Sequence, residues 1–226
     1  MAGLGIGPEQ FALFRINDPD QRARALETVL APALFRIGED LVAGLSRVTG
    51  APLFVHPGKL THRRSSAPEE VFVAFGGSDK GYRVTPYLAL AVTRAQLHAR
   101  IAVRATADRG GAMRLALERE ASNLARKGKP FRKLRSYADW DFEELPEIAP
   151  AHSPAFWTEL AQALAGERNG VVGIDVGVAW SIEEARSLAI GDLLGAFRDL
   201  APLYKLLAHA NLRSSPGAAA RALRPD

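Results

Sequence analysis

His56, Lys59, His62, Arg63 and Arg64 fall within nine residues and bring together two of the chain's five histidines and three cations. Arginine forks grip phosphate or carboxylate in a bidentate way, lysine adds a point charge, and a histidine near neutral pH can carry a proton. The stretch from Val55 to Ser66 therefore reads as an anion clamp on a loop, against the plainer reading of a solvated basic loop whose arginines pair with surface carboxylates.

Other chemistries fit less well. The chain has no cysteine, so disulfides, thiolate metal sites and cysteine nucleophiles are excluded. His56 and His62 lack the helical i, i+4 step and the further ligands that zinc requires. No Gly-x-Ser-x-Gly elbow accompanies Ser65 or Ser66. Gly3, Gly5 and Gly7 precede any strand and make no dinucleotide fingerprint. Gly173-Ile174-Asp175-Val176-Gly177 looks like a sugar-kinase phosphate loop, but fewer than 50 residues follow it, so Asp175 reads as a strand residue on a polar face.

These residues must be held by a scaffold. With 226 residues, 47% hydrophobic and 24% charged, the chain can bury a full core. A helical stripe runs from about Asp20 to Val48 through Leu26, Val29, Leu30, Leu34, Ile37, Leu41, Val42 and Leu45; Asn17 and Asp18 offer caps, Pro32 a kink and Gly50 a stop. Val71–Phe75, Tyr82–Thr93 and Leu97–Thr106 then read as a three-strand antiparallel meander, because connections such as Gly76–Asp79 and Arg94–Gln96 are too short for a parallel crossover. Across it, Tyr82, Arg83 and Tyr87 are neighbouring candidates for the clamp.

A helix over Arg109–Arg126 uses Met113, Leu115, Leu117 and Leu124, and another starts at Ser153-Pro154. Val172, Ile174, Val176, Val178 and Trp180 alternate on a fourth strand, Ser181 and Glu184 form a capping box, and helix covers roughly Ser187 to His209. The expected architecture is α+β, an antiparallel sheet with covering helices over residues 1–210, with a disordered tail at 211–226.

The net charge of +4 is local. Arg126, Lys127, Lys129, Arg132, Lys133 and Arg135 carry six positive charges and the tail a net two, which leaves the remainder at −4. That weakens a reading as a nucleic-acid binder, although Phe131, Tyr137 and Trp140 beside the basic run could stack bases. No apolar run spans a membrane and no signal segment opens the chain, so the expected place is the cytoplasm. Patterning fits a monomer or a dimer.

Thr49-Gly50, Phe54-Val55-His56, Lys59, His62-Arg63-Arg64, Val73-Ala74-Phe75, Gly81-Tyr82-Arg83 and Pro86, with Phe11–Ile16 and Leu203–Leu206, together resemble the YktB-like family of bacterial proteins, a domain-of-unknown-function group. The chain departs from that pattern at Phe72, where the family carries Trp, and in the spacing before the arginine pair, so His56, Lys59, Arg63 and Arg64 are the matched positions. The resemblance implies an antiparallel sheet similar in topology to class II tRNA synthetases and biotin ligases. Those enzymes activate carboxylates with ATP and contact phosphate through an arginine, a part Arg63 or Arg64 would play. The biotin-ligase glycine and arginine loop is missing, and fold alone transfers no activity.

Overall fold

The computed structural model describes residues 3–58, 68–108, 110–137, 145–165 and 172–214. The chain opens with α1 (Pro8–Ala12) and α2 (Pro19–Ala25), the latter capped by Asp18, whose side chain accepts a hydrogen bond from the Gln21 amide. A π-helical turn at Leu26–Leu30 follows, and α3 (Ala31–Thr49) carries Pro32 in its first turn. The expected break at Pro32 thus takes the form of a wider turn just before it, one of the ways a helix accommodates a ring without an N–H. The turn also shifts the stripe, so Val29 is exposed while Leu26, Leu30, Leu34 and Leu41 are fully buried. Gly50 ends the helix at φ 76°, the left-handed cap that glycine adopts without strain.

Six strands follow: β1 (Phe54–Pro57), β2 (Glu70–Gly76), β3 (Tyr87–Thr93), β4 (Gln96–Arg104), β5 (Arg135–Ser136) and β6 (Val172–Ser181). They form one antiparallel sheet in the order β1-β2-β3-β4-β6-β5. Between the strands and after them come α4 (Ala112–Arg126), α5 (Pro154–Ala163), α6 (Ile182–Ser187) and α7 (Ile190–Ser214).

The expected meander is present as β2–β3–β4, with two corrections. Tyr82 to Pro86 is not strand; β3 begins at Tyr87, after a proline that has no N–H to give the ladder. Phe54–Pro57, read as the start of a loop, is an edge strand paired with β2, too short to show an alternation. α4 begins three residues later than expected, where both Asp108 carboxylate oxygens accept from the amides of Met113 and Arg114. Leu115 lies opposite the α4 stripe of Met113, Leu117, Ala121 and Leu124 and is 40% exposed. Ser153 sits at the α5 cap position without a side-chain cap hydrogen bond, whereas Ser181 and Glu184 form the full capping box of α6. α7 continues past His209 to Ser214.

The main core lies between the helices and one face of the sheet, contributed by Val71, Val73, Phe75, Leu88, Leu90, Leu97, Ile101, Ile174 and Val176. The alternation expected for β6 holds, with Val178 and Trp180 packed against that core. At Gly177 a Cβ would lie 2.2 Å from the Ala99 carbonyl oxygen and 2.6 Å from the Arg100 Cα, both backbone atoms that cannot swing aside. Gly177→Ala is expected to lower stability by about 1–3 kcal/mol in urea unfolding, by forcing β6 away from β4; an unchanged midpoint would show that the strands adjust freely.

Candidate functional site

The second face of the sheet mixes charged side chains with alanines and aromatic rings. Its core-side neighbours alternate with Glu70 and Phe72 on β2, Tyr87, Ala89 and Ala91 on β3, Gln96, His98, Arg100 and Ala102 on β4, and Asp175 on β6. One register line runs His56, Ala74, Ala89, Arg100, Gly177, and a second runs Tyr87, Ala102, Asp175. Alanines at the central positions leave room for long side chains from neighbouring strands to lie across the sheet.

Arg100 is the hub. Its Nη2 donates to Glu70 Oε2 at 2.6 Å and its Nη1 lies 3.0 Å from Asp175 Oδ2, while its guanidinium carbon sits 5.7 Å from the Phe72 ring centre. His98 Nε2 lies 3.2 Å from Glu70 Oε1, and the Tyr137 ring packs at 4.7 Å on the imidazole. Tyr87 continues the aromatic row to Tyr82 at 4.8 Å, and Tyr82 to His56 at 5.8 Å. His98 is fully buried, and Arg100 and Asp175 are each 5% exposed.

Burial and pairing set the charges. Burial opposes the Glu70 charge, but Arg100 and His98 outweigh it and hold the carboxyl at about 2. Asp175 is pushed up to about 7 by burial, with Arg100 pulling the other way and Glu70 adding to the rise. Burial lowers His98 to about 4 against the pull of Glu70, so at neutral pH its contact with Glu70 joins a neutral imidazole to a carboxylate. Arg100 stays charged because its two carboxylates outweigh its burial, and burial raises the phenols of Tyr87 and Tyr137. Asp175 is thus near its midpoint at neutral pH, and its Oδ1 is buried without a hydrogen-bond partner among the described residues. Such a carboxyl can take or give a proton, and this combination of burial, a defined partner and a shifted pKa marks functional sites more often than chance.

Of the residues singled out in the sequence, the structure brings His56, Tyr82 and Arg83 together around a cavity of about 410 Å³, with Ser78 and Lys80. His56 Nε2 donates to the Ser78 carbonyl at 2.8 Å. Tyr87 is one ring further in, against Tyr82. Lys59, His62, Arg63 and Arg64 lie outside the described residues, as do Trp140 and the acidic stretch after it. Among the described residues beside the basic run, Phe131 and Tyr137 are buried at 2% and 6% exposure and are not open to bases. Glu70, His98 and Arg100 were not singled out in the sequence, and Asp175 was read as an ordinary strand residue. Their signal is Gln96, His98 and Arg100 at i, i+2 and i+4, three polar side chains on one face of a strand with an apolar opposite face.

Fold and site together define an α+β protein built on one six-stranded antiparallel sheet, with helices against one face and a charged, aromatic cluster on the other. The chain belongs to the family described as Domain of unknown function (DUF1054), whose model matches residues 7–204. It is 34% identical over 77 residues to a UPF0637 protein of Bacillus cytotoxicus, covering 34% of this chain and 37% of that protein. It is 31% identical over 88 residues to one of Oceanobacillus iheyensis, covering 39% and 43%, and 30% identical over 90 residues to one of Staphylococcus aureus, covering 40% and 44%. These alignments span less than half the length of each relative. The bacterial family expected from the resemblance is therefore the one the chain belongs to. No helix among the described residues is long and apolar enough to cross a membrane.

Proposed function

We propose that the protein binds a small anionic ligand, a nucleotide or phosphorylated metabolite, at the β1 end of the second face of the sheet. The observation that carries this reading is the cavity of about 410 Å³ bounded by His56, Lys80, Tyr82 and Arg83, which has no carboxylate among its described lining residues. Two cations and an imidazole, with no carboxylate among the described lining residues, favour an anion, and the buried Tyr82 ring forms the inner wall of the cavity. Lys59, His62, Arg63 and Arg64 follow β1 in the chain and in this proposal supply further cations, with Tyr87 behind Tyr82.

Differential scanning fluorimetry with ATP, pyrophosphate and sugar phosphates tests the reading. A ligand present at 100 times its Kd stabilises the fold by about 2.7 kcal/mol and raises the melting temperature accordingly. Arg83→Ala and the double variant Arg63→Ala, Arg64→Ala are expected to lose most of that shift; an identical response in both removes the assignment.

A second reading, an ATP-dependent transferase or ligase that forms an acyl-adenylate, is favoured by the register line from His56 across Ala74 and Ala89 to Arg100. Three strand spacings of about 4.8 Å make this line roughly 14 Å; Ala74, Ala89 and Arg100 on it are buried, so in this reading a nucleotide enters at the His56 end and Arg100 acts from beneath. Carboxylate-dependent exchange of pyrophosphate into ATP would support this reading, and ATP binding without exchange would leave only the first. A role as a nucleic-acid or protein interaction module is the remaining alternative, and the burial of Phe131 and Tyr137 weakens its nucleic-acid form.

A further inference from the structure

A second cavity, of about 970 Å³, opens on the helical side, away from the cluster, where the ends of α3 and α4 meet α7 and the start of β1. Its walls are mostly apolar, formed by Phe54, Leu124, Tyr204, Leu206 and Leu212. Phe54 is 41% and Leu212 66% exposed, an unusual placement for large apolar side chains on neighbouring elements. Thr85 Oγ1, on the same wall, is buried without a hydrogen-bond partner among the described residues. Burial keeps the Tyr204 phenol protonated, its pKa pushed up to about 12.

The cavity adjoins one of about 610 Å³, with which it shares the lining residues Pro202 and Lys205, and the character of the lining changes there. Arg47, Arg198 and Lys205 line the second cavity, with no carboxylate among its described lining residues. Arg198, Lys205 and Leu212 follow one another at seven-residue steps along α7, so one face of that helix passes from cationic to apolar. In the larger cavity Glu120 is the one carboxylate among the described lining residues, set against Lys127 and Lys205.

The geometry points to a binding site for an amphiphilic anion: an acyl chain lying along Phe54, Tyr204 and Leu212, with its charged head at Lys205, Arg47 and Arg198. An apolar cavity beside a cationic one, with Lys205 lining both, complements a single-chain molecule with an anionic head. Volumes of this order are those of small-molecule sites that hold a ligand from several sides. The chain's own C-terminal segment is a poor occupant for the cationic end, because residues 211–226 carry a net charge of +2.

Isothermal titration with decanoate, decyl phosphate and decyltrimethylammonium, each below its micelle concentration, reads the proposal directly. Saturable binding of one equivalent of either anion is expected, with the tighter anion identifying a carboxylate or a phosphate head, and no saturable heat for the cation. The double variant Arg47→Ala, Lys205→Ala should weaken the anions at least tenfold, and Leu212→Asp should do the same through the chain. All three side chains are exposed, so the variants should fold. Equal binding of the cation, no binding of either anion, or an unchanged Kd in both variants would overturn the site. The anion site beside His56 is lined by other residues and is probed with ligands that have no acyl chain, so either site can fail without the other.

Discussion

Arg100→Ala is expected to lower folding stability by about 3–5 kcal/mol, the cost typical of removing one partner from a buried ion pair. The side chain separates two carboxylates, Glu70 at 2.6 Å and Asp175 at 3.0 Å, and its truncation leaves the buried Asp175 and the half-buried Glu70 without their shared cation. Asp175 escapes by taking up a proton, since burial already holds its carboxyl at about 7. Glu70 is left with His98 alone, and without Arg100 to offset it, burial pushes its carboxyl upward. Phe72 also loses the guanidinium packed against its ring. Urea unfolding should show a lower midpoint at unchanged slope. Combining Arg100→Met with Glu70→Gln and Asp175→Asn should recover much of the loss, since neutral groups of similar shape remove the uncompensated charge. A single-variant cost under about 1 kcal/mol would mean that the cluster is solvated, with interaction strengths typical of a surface.

The parts of the fold legible in the sequence are those decided within a few residues. Asp18 and the Ser181–Glu184 box cap helices because their partners are three residues away, Gly50 closes α3 because only its own φ matters, and β6 shows itself by ten residues of strict alternation. β1 was not legible, because four residues ending in Pro57 become a strand only through pairing with β2. The cluster was illegible for the same reason on a larger scale. Glu70, His98, Arg100 and Asp175 come from three strands, and what makes them a site is the register that sets β4 between β3 and β6. A charged residue alternating with apolar ones reads as solvent-facing on a half-buried strand, and here that face is buried as well. Of the clamp read from residues 55–66, the strand part carrying His56 lies beside Tyr82 and Arg83 at one cavity, brought there by the turn before β3 rather than by the strand expected for them.

The cluster should also give the protein an unusual pH profile, in which two buried groups oppose one another. Asp175 binds its proton more tightly when folded, its carboxyl rising from 3.8 to about 7. Its contribution is therefore fully present below pH 3.8 and is lost as pH rises through 7. His98 behaves in the opposite way, falling from 6.5 to about 4, so its contribution is present above 6.5 and is lost as pH falls through 4. Glu70, lowered from 4.5 to about 2, adds stability above 4.5 that is lost toward pH 2 and changes little at higher pH. Between pH 4.5 and 6.5, folding thus takes up one proton at Asp175 and excludes one at His98, and the two slopes cancel in large part. Asp175→Asn removes only the first, so over pH 5–6 its stability should rise relative to the parent by up to about 1.4 kcal/mol per pH unit. His98→Gln removes only the second, and its profile should tilt downward by a similar amount. The readout is the difference in slope between each variant and the parent in urea unfolding at fixed ionic strength, which cancels the shared contribution of every surface carboxylate. Parallel profiles for all three proteins would show that neither group is titrating in the folded cluster and would leave Asp175 without the proton chemistry its position offers.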